Sequence, residues 1–222
     1  MRGKELADRG AFCRTRIKLC GLTRTSDIET ANERMPEYVG FVFAKKSRRY
    51  VTPEQAMELR QALCPAIQSV GVFVDEDPET VAELLHRGMI DLAQLHGNES
   101  EEYIKCLRNL TNQPIIKAFR IETEQDVKAA EQSSADYILL DSGSGGTGTA
   151  FDWELIRNLH RPYFLAGGLD TENVREAVEM YAPYAVDVSS GIETDGVKDK
   201  EKIKAFVRAV RGAAGKGEYH DK

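Results

Sequence analysis

The chain has 222 residues, of which 41% are hydrophobic and 30% charged, with a net charge of -6 at neutral pH. That length supports a sizeable core in one large domain or two small ones, and the negative balance offers no footing for nucleic acid or a membrane surface. No apolar run is long enough to span a bilayer, and the charged start "MRGKELADRGAFCRTR" lacks the apolar centre of a secretory signal.

Short β-branched or aromatic runs recur from the N-terminus onward: "RIKLCG" (16–21), "YVGFVFA" (38–44), "IQSVGVFV" (67–74) and "DLAQLHG" (91–97). They continue as "PIIKAF" (114–119), "ADYILLD" (135–141), "YFLAGG" (163–168) and "AVDVSSG" (185–191). Between them lie stretches of helical periodicity, among them "SDIETANERM", "PEQAMELRQAL", "PETVAELLHRG", "SEEYIKCLRNL" and "EQDVKAAEQ". Thr52-Pro53, Asp77-Pro78 and Thr171 with Asn173 read as helix entries, and "KEKIKAFVRAV" (200–210) is amphipathic. Eight strands, each followed by a helix, predict a single (β/α)₈ TIM barrel with parallel strands. A doubly wound open sheet is the alternative, although its nucleotide loop follows the first strand. The expected organisation is an N-terminal extension over residues 1–14, a catalytic barrel over 15–211 and a flexible C-terminal tail over 212–222.

The sixth strand runs into "LLDSGSGGTGTAFDW" (139–153), which contains G-S-G-G-T-G, a match to the dinucleotide pattern G-x-G-x-x-G. The match is weak, because in a dinucleotide site the third glycine lies within the helix that faces the pyrophosphate. Here "TAF" intervenes, and Asp152 ahead of "WELIRNL" makes the better helix cap. The glycine run reads instead as a lid over a barrel mouth, beside Asp141.

Active sites of this fold sit at the C-terminal strand ends, and residues two apart share a face. The inner face therefore pairs Lys18 with Cys20, Gln94 with His96, Leu139 with Asp141, and Asp187 with Ser189. Polar groups inside apolar strands are costly unless paired or used. Each also has a plain structural reading: Cys20 as a small buried hydrophobe, Asp141 as a turn former, His96 as a hydrogen-bonded core histidine. Lys18 and Asp187 are expected to pair, because closure sets the eighth strand beside the first. At the last two strand ends, Gly167, Gly168, Ser189, Ser190 and Gly191 are small residues whose amides suit an anion, the common phosphate site of such barrels.

These stretches resemble the phosphoribosylanthranilate isomerase family, the cofactor-independent isomerases of tryptophan biosynthesis. The resemblance lies in "IKLCGLTR" (17–24), "VGFVFAKKSRRYV" (39–51), "VGVFV" (70–74), "QLHG" (94–97), "LLDSGSGGTGTAFDW", "LAGGLDTENV" (165–174) and "VDVSSGIE" (186–193), nearly the whole chain outside its ends. It implies an Amadori rearrangement of a phosphoribosyl anthranilate, with Asp141 as general acid and Cys20 as general base. Lys18 is the expected source of the positive charge that helps deprotonate Cys20. Arg49 would engage the anthranilate carboxylate, while His96 and Asp187 would line the pocket and hold the sugar hydroxyls.

The resemblance also implies a phosphorylated small-molecule partner, with no cofactor and no metal, and the sequence adds neither nucleic acid nor membrane. The four cysteines (Cys13, Cys20, Cys64, Cys106) show no C-x-x-C spacing and fit reduced thiols in the cytoplasm. A monomer or weak homodimer is expected. Two other functions remain open at this stage: a metal-dependent phosphosugar epimerase, which would need paired histidines and carboxylates at strand ends, and a non-catalytic phosphosugar-binding barrel.

Overall fold

The structure is a computed structural model that describes residues 14–142, 153–157 and 159–213. Its elements alternate as β1 (Arg16–Cys20), α1 (Thr25–Arg34), β2 (Tyr38–Val42), α2 (Pro53–Ala62), β3 (Gln68–Phe73), α3 (Pro78–His86), β4 (Leu92–Leu95) and α4 (Glu101–Leu110). The second half continues with β5 (Ile115–Ile121), α5 (Glu124–Gln132), β6 (Tyr137–Ser142), β7 (Tyr163–Leu165), α6 (Val174–Tyr181), β8 (Ala185–Val188) and α7 (Lys200–Ala213). The eight strands close into one parallel barrel in sequence order, and β1 pairs β8 with Lys18 opposite Asp187. This is the expected (β/α)₈ architecture.

Local sequence explains most helix starts. Thr52 accepts from the Gln55 amide with Pro53 in the first turn, and Asp77 accepts from the Glu79 and Thr80 amides with Pro78 behind it. Two expectations fail. The segment predicted as a helix after β6 forms, among the described residues, only a 3₁₀ turn, Trp153–Ile156. The helix entered by Thr171 with Asn173 begins only at Val174, and Asn173, at the N-cap position, makes no side-chain cap bond; its side-chain amide donates to the Gly168 carbonyl and its oxygen accepts from the Asp170 amide. The proposed lid, the glycine run with Asp152, lies outside the described residues, as do residues 1–13 and 214–222 of the two terminal segments.

Alternation along the strands divides the apolar residues into two cores. Ile17, Leu19, Val39, Phe41, Leu140 and Val186 face the helices and join the outer core. Tyr38, Val70, Leu92, Ile116, Leu139 and Phe164 fill the barrel interior, with Tyr137 and Tyr184 packed beneath. Phe164 is fully buried, with its ring centroid 5.4 Å from Tyr38, 5.8 Å from Tyr137 and 5.6 Å from Tyr184. It plugs the floor and lets polar residues occupy only the upper layers. Phe164→Ala should therefore cost about 3–5 kcal/mol of stability, the range for large buried aromatics, read as a lowered midpoint in urea unfolding. A cost under about 1 kcal/mol would mean that the floor is not packed as described.

Candidate active site

A cavity of about 270 Å³ opens at the C-terminal ends of the strands. Its wall includes Cys20, Arg49, His96, Asp141, Gly167, Gly168, Asp187, Ser189 and Ser190. Of the polar and small residues singled out from the sequence, Lys18 and Gly191 are absent from the wall. A side chain at Gly191 would run into the Leu169 carbonyl, so this glycine serves the close approach of the loops after β7 and β8.

Lys18 lies at the bottom with no exposed surface, and its Nζ donates to both carboxylate oxygens of Asp187 at 3.0 and 2.9 Å. The expected pair is present, and it uses both oxygens of Asp187, so this carboxylate serves Lys18 before any sugar hydroxyl. Burial depresses the ammonium, but Asp187 and Cys20 outweigh it and hold Lys18 above its ordinary value, hence charged. Directly beside them, a Cβ on Gly40 would stand 2.8 Å from Cys20 Sγ and 3.3 Å from Lys18 Nζ. Glycine opposite Cys20 in the β1–β2 register makes the room.

Burial raises the Cys20 thiol; Lys18 opposes that, Asp187 reinforces it, and the net direction is up. Lys18 acts on Cys20 in the expected direction, favouring the thiolate, but does not set the net shift. The lysine's charge is already shared with Asp187, and desolvation wins over what remains.

Across the cavity, Asp141 Oδ2 lies 3.2 Å from His96 Nε2, and His96 Nδ1 lies 2.8 Å from the Gln94 amide nitrogen. His96 stands just beyond the end of β4, its backbone amide held by the Phe73 carbonyl at 2.8 Å. At the far rim, Gly167 and Gly168 both adopt positive φ, +81° and +67°. Neither amide bonds to another backbone group among the described residues. Such turned amides beside Ser189 and Ser190 suit a phosphate. No group of three or more His, Cys, Asp or Glu among the described residues is arranged to hold a metal ion.

Sequence reasoning missed the surroundings of Arg49. Its guanidinium grips Glu193 with two bonds, 2.6 and 2.8 Å, while Arg48 and Lys198 reach the same carboxylate at 2.7 Å each. Glu193 and Lys198 belong to a small hairpin, β9 (Glu193–Thr194) and β10 (Val197–Lys198), whose turn residues Asp195 and Gly196 both have positive φ. Lys198 also donates to the Ser189 carbonyl at 2.8 Å, tying the arginine side of the cavity to the loop after β8. Burial pushes Glu193 up, but bonds from Arg49 and Lys198 overcome it and hold the carboxyl at about 2. Burial likewise lowers Lys198, against the pull of Glu193.

Comparison with known proteins follows the same lines. A family model described as N-(5'phosphoribosyl)anthranilate (PRA) isomerase matches residues 17–209. An N-(5'-phosphoribosyl)anthranilate isomerase of Acetivibrio thermocellus is 45% identical over 214 residues, covering 90% of this chain and 98% of that protein. The crystal structure of a dimeric phosphoribosylanthranilate isomerase from Thermotoga maritima, in mutually generated monomers, is 38% identical with a TM-score of 0.79. The match spans 89% of this chain and 99% of that one. A phosphoribosylanthranilate isomerase solved with reduced 1-(o-carboxyphenylamino)-1-deoxyribulose 5-phosphate is also 38% identical, with a TM-score of 0.80 and the same two coverages.

The depressed Glu193 carboxyl gives a stability prediction with a definite sign. A group whose folded value lies below its unfolded value stabilises the fold above the unfolded value and loses that contribution as pH falls. Wild type should exceed Glu193→Gln in unfolding free energy at pH 7. The gap should close as pH drops from about 4.5 to about 2. Parallel pH profiles for the two proteins would contradict the clamp.

Proposed function

The chain belongs to the phosphoribosylanthranilate isomerase family, and on that premise we propose how its site divides the work, with Asp141 as general acid and Cys20 as general base. The reaction is the Amadori rearrangement of N-(5-phosphoribosyl)anthranilate to 1-(2-carboxyphenylamino)-1-deoxyribulose 5-phosphate in L-tryptophan biosynthesis. The observation that carries the assignment is that one cavity is faced by a thiol from β1 and a carboxyl from β6, with candidate anion seats on both rims.

Asp141 gives its proton to the ribose ring oxygen as the C1′–O bond breaks, and the anilino nitrogen's lone pair completes an iminium at C1′. Cys20 then takes the proton from C2′. The C–H electrons form the C1′–C2′ double bond, and the iminium π-electrons return to nitrogen. The resulting enolamine tautomerises to the ketone. Oxidation at C2′ balances reduction at C1′ within one molecule, so the chemistry calls for neither cofactor nor metal. The acting species is the thiolate, which takes up the C2′ proton to become the thiol, and burial makes that thiolate a stronger base. The iminium supplies, only after ring opening, the neighbouring positive charge that favours a thiolate.

Both anionic ends of the substrate find a seat. The phosphate lies against the amides of Gly167, Gly168 and Ser190, with Gly191 holding their loops together and Ser189 fixed by Lys198. The anthranilate carboxylate meets Arg49, whose Nε and one Nη are taken by Glu193, so that the other Nη addresses the ligand. Val42, Ala44, Val72 and Val74 give the aromatic ring an apolar wall. His96 acts on the substrate through Asp141, and Asp187 acts through Lys18. The same proposal places the protein in the cytoplasm as a monomer or weak homodimer, with residues 15–211 as the catalytic barrel between terminal segments 1–14 and 212–222. No described helix is long and apolar enough to cross a membrane.

Asp141→Asn and Cys20→Ser should each lower kcat by about 10²–10⁴-fold, the usual contribution of one acid or base, with circular dichroism unchanged. The measurement is product formation from freshly generated phosphoribosylanthranilate in the presence of EDTA. Near wild-type turnover in Asp141→Asn would remove it as the acid. Inorganic phosphate should compete with substrate, and Gly168→Asp should raise KM by placing a negative charge at the anion seat. An unchanged KM in that variant would put the phosphate elsewhere.

A further inference from the structure

Gln94 is 1% exposed, on β4 beneath the cavity, and one of its two polar atoms has no partner among the described residues. That atom is Oε1, while Nε2 donates across 2.8 Å to His96 Nδ1. Turned over, the amide would offer Oε1 to the histidine but leave both N–H donors of the NH₂ group unmet instead of one. Orphaned carbonyl acceptors are tolerated in protein interiors more readily than orphaned N–H groups. The present orientation is therefore the less costly one, and it has a chemical consequence. An Nδ1 that accepts carries no proton, so in the neutral ring the proton lies on Nε2, which faces Asp141 Oδ2 at 3.2 Å.

We infer that Gln94 is a positioning residue that fixes the Nε2–H tautomer of His96, reserving Oδ2 of Asp141 as an acceptor and leaving Oδ1 to carry the proton delivered to substrate. The inference rests on the reading of Asp141 as general acid. When the Oδ1–H bond breaks, the electron pair stays on the carboxylate, and the Nε2–H already aimed at Oδ2 stabilises the charge. The opposite tautomer would present a bare nitrogen to Asp141. That nitrogen would accept the acid's proton and divert it from the ring oxygen. The backbone supports the alignment: Gln94 lies in register with Val72 and Ile116, and the His96 amide is held by the Phe73 carbonyl. The ring's reach to Asp141 is thus set from below rather than by substrate.

The test is ¹⁵N NMR of the imidazoles in the full-length protein, at a pH where the His96 ring is neutral. The chain has four histidines, and a His96→Asn spectrum identifies the signal. Wild type should show a protonated Nε2 and an acceptor-type Nδ1. Gln94→Met, of similar size and without the donor, should move His96 to a mixture of tautomers. Its kcat should fall on the order of 10–100-fold, as when an outer partner that orients a functional histidine is lost, with KM little changed. Gln94→Glu places an acceptor opposite Nδ1 and should bring the proton to that nitrogen. A wild-type His96 protonated on Nδ1, or an unchanged spectrum in Gln94→Met or Gln94→Glu, would overturn the inference. Failure of the acid assignment is read separately, from turnover of Asp141→Asn, because the tautomer is observed without substrate.

Discussion

The site is built over a lysine ammonium with no exposed surface, locked to an aspartate across the seam where the barrel closes. An ammonium removed from water costs several kcal/mol unless a partner meets it, and β8, beside β1 in the closed barrel, supplies one at that depth. Closure of β8 on β1 and pairing of Lys18 with Asp187 are therefore one event. Much else follows from it. Gly40 has to lack a side chain because Lys18 and Cys20 occupy its space. The Cys20 thiol sits above a pair whose charges largely cancel, so burial governs its protonation. Asp187 is drawn down to the lysine and leaves the upper cavity to the substrate.

A second layer of ion pairs governs the rim. Four cations (Lys18, Arg48, Arg49 and Lys198) pair with two carboxylates of the site, Asp187 and Glu193, while Asp141 faces His96. The excess positive charge suits a ligand anionic at both ends. Glu193 gathers three of those cations, and Lys198 carries the connection to the Ser189 loop. Under the proposed assignment, the distance between the substrate's two anionic seats is fixed by a six-residue hairpin and not by the barrel strands alone.

Much of this was legible in the sequence because it is periodic. Alternation put Lys18 with Cys20 and Gln94 with His96 on the inner face, and the structure keeps both pairs there. The small residues after β7 and β8 were legible from their size. The Glu193 clamp was not, since Arg49 lies 144 positions away in the chain and no local rule selects its partner. The one available signal was Asp195-Gly196, a two-residue hairpin turn that could have announced β9 and β10. The link from His96 to Asp141 spans 45 positions and depends on strand ends meeting across the barrel mouth. The helix predicted after β6, with Asp152 as its cap, is a 3₁₀ turn among the described residues.

The central claim is that thiol and carboxyl address different steps of one bound sugar. A crystal structure of this protein with a reduced product analogue, unable to re-isomerise, tests it most directly. The account predicts Cys20 Sγ within about 3–3.5 Å of C2′, the separation of reacting atoms in a productive complex. It also predicts Asp141 Oδ1 in hydrogen-bond contact with the former ring oxygen, phosphate on the Gly167–Gly168 and Ser190 amides, and carboxylate at Arg49. A ligand bound in the reverse sense, with phosphate at Arg49 and neither Cys20 nor Asp141 touching the opened sugar, would contradict it.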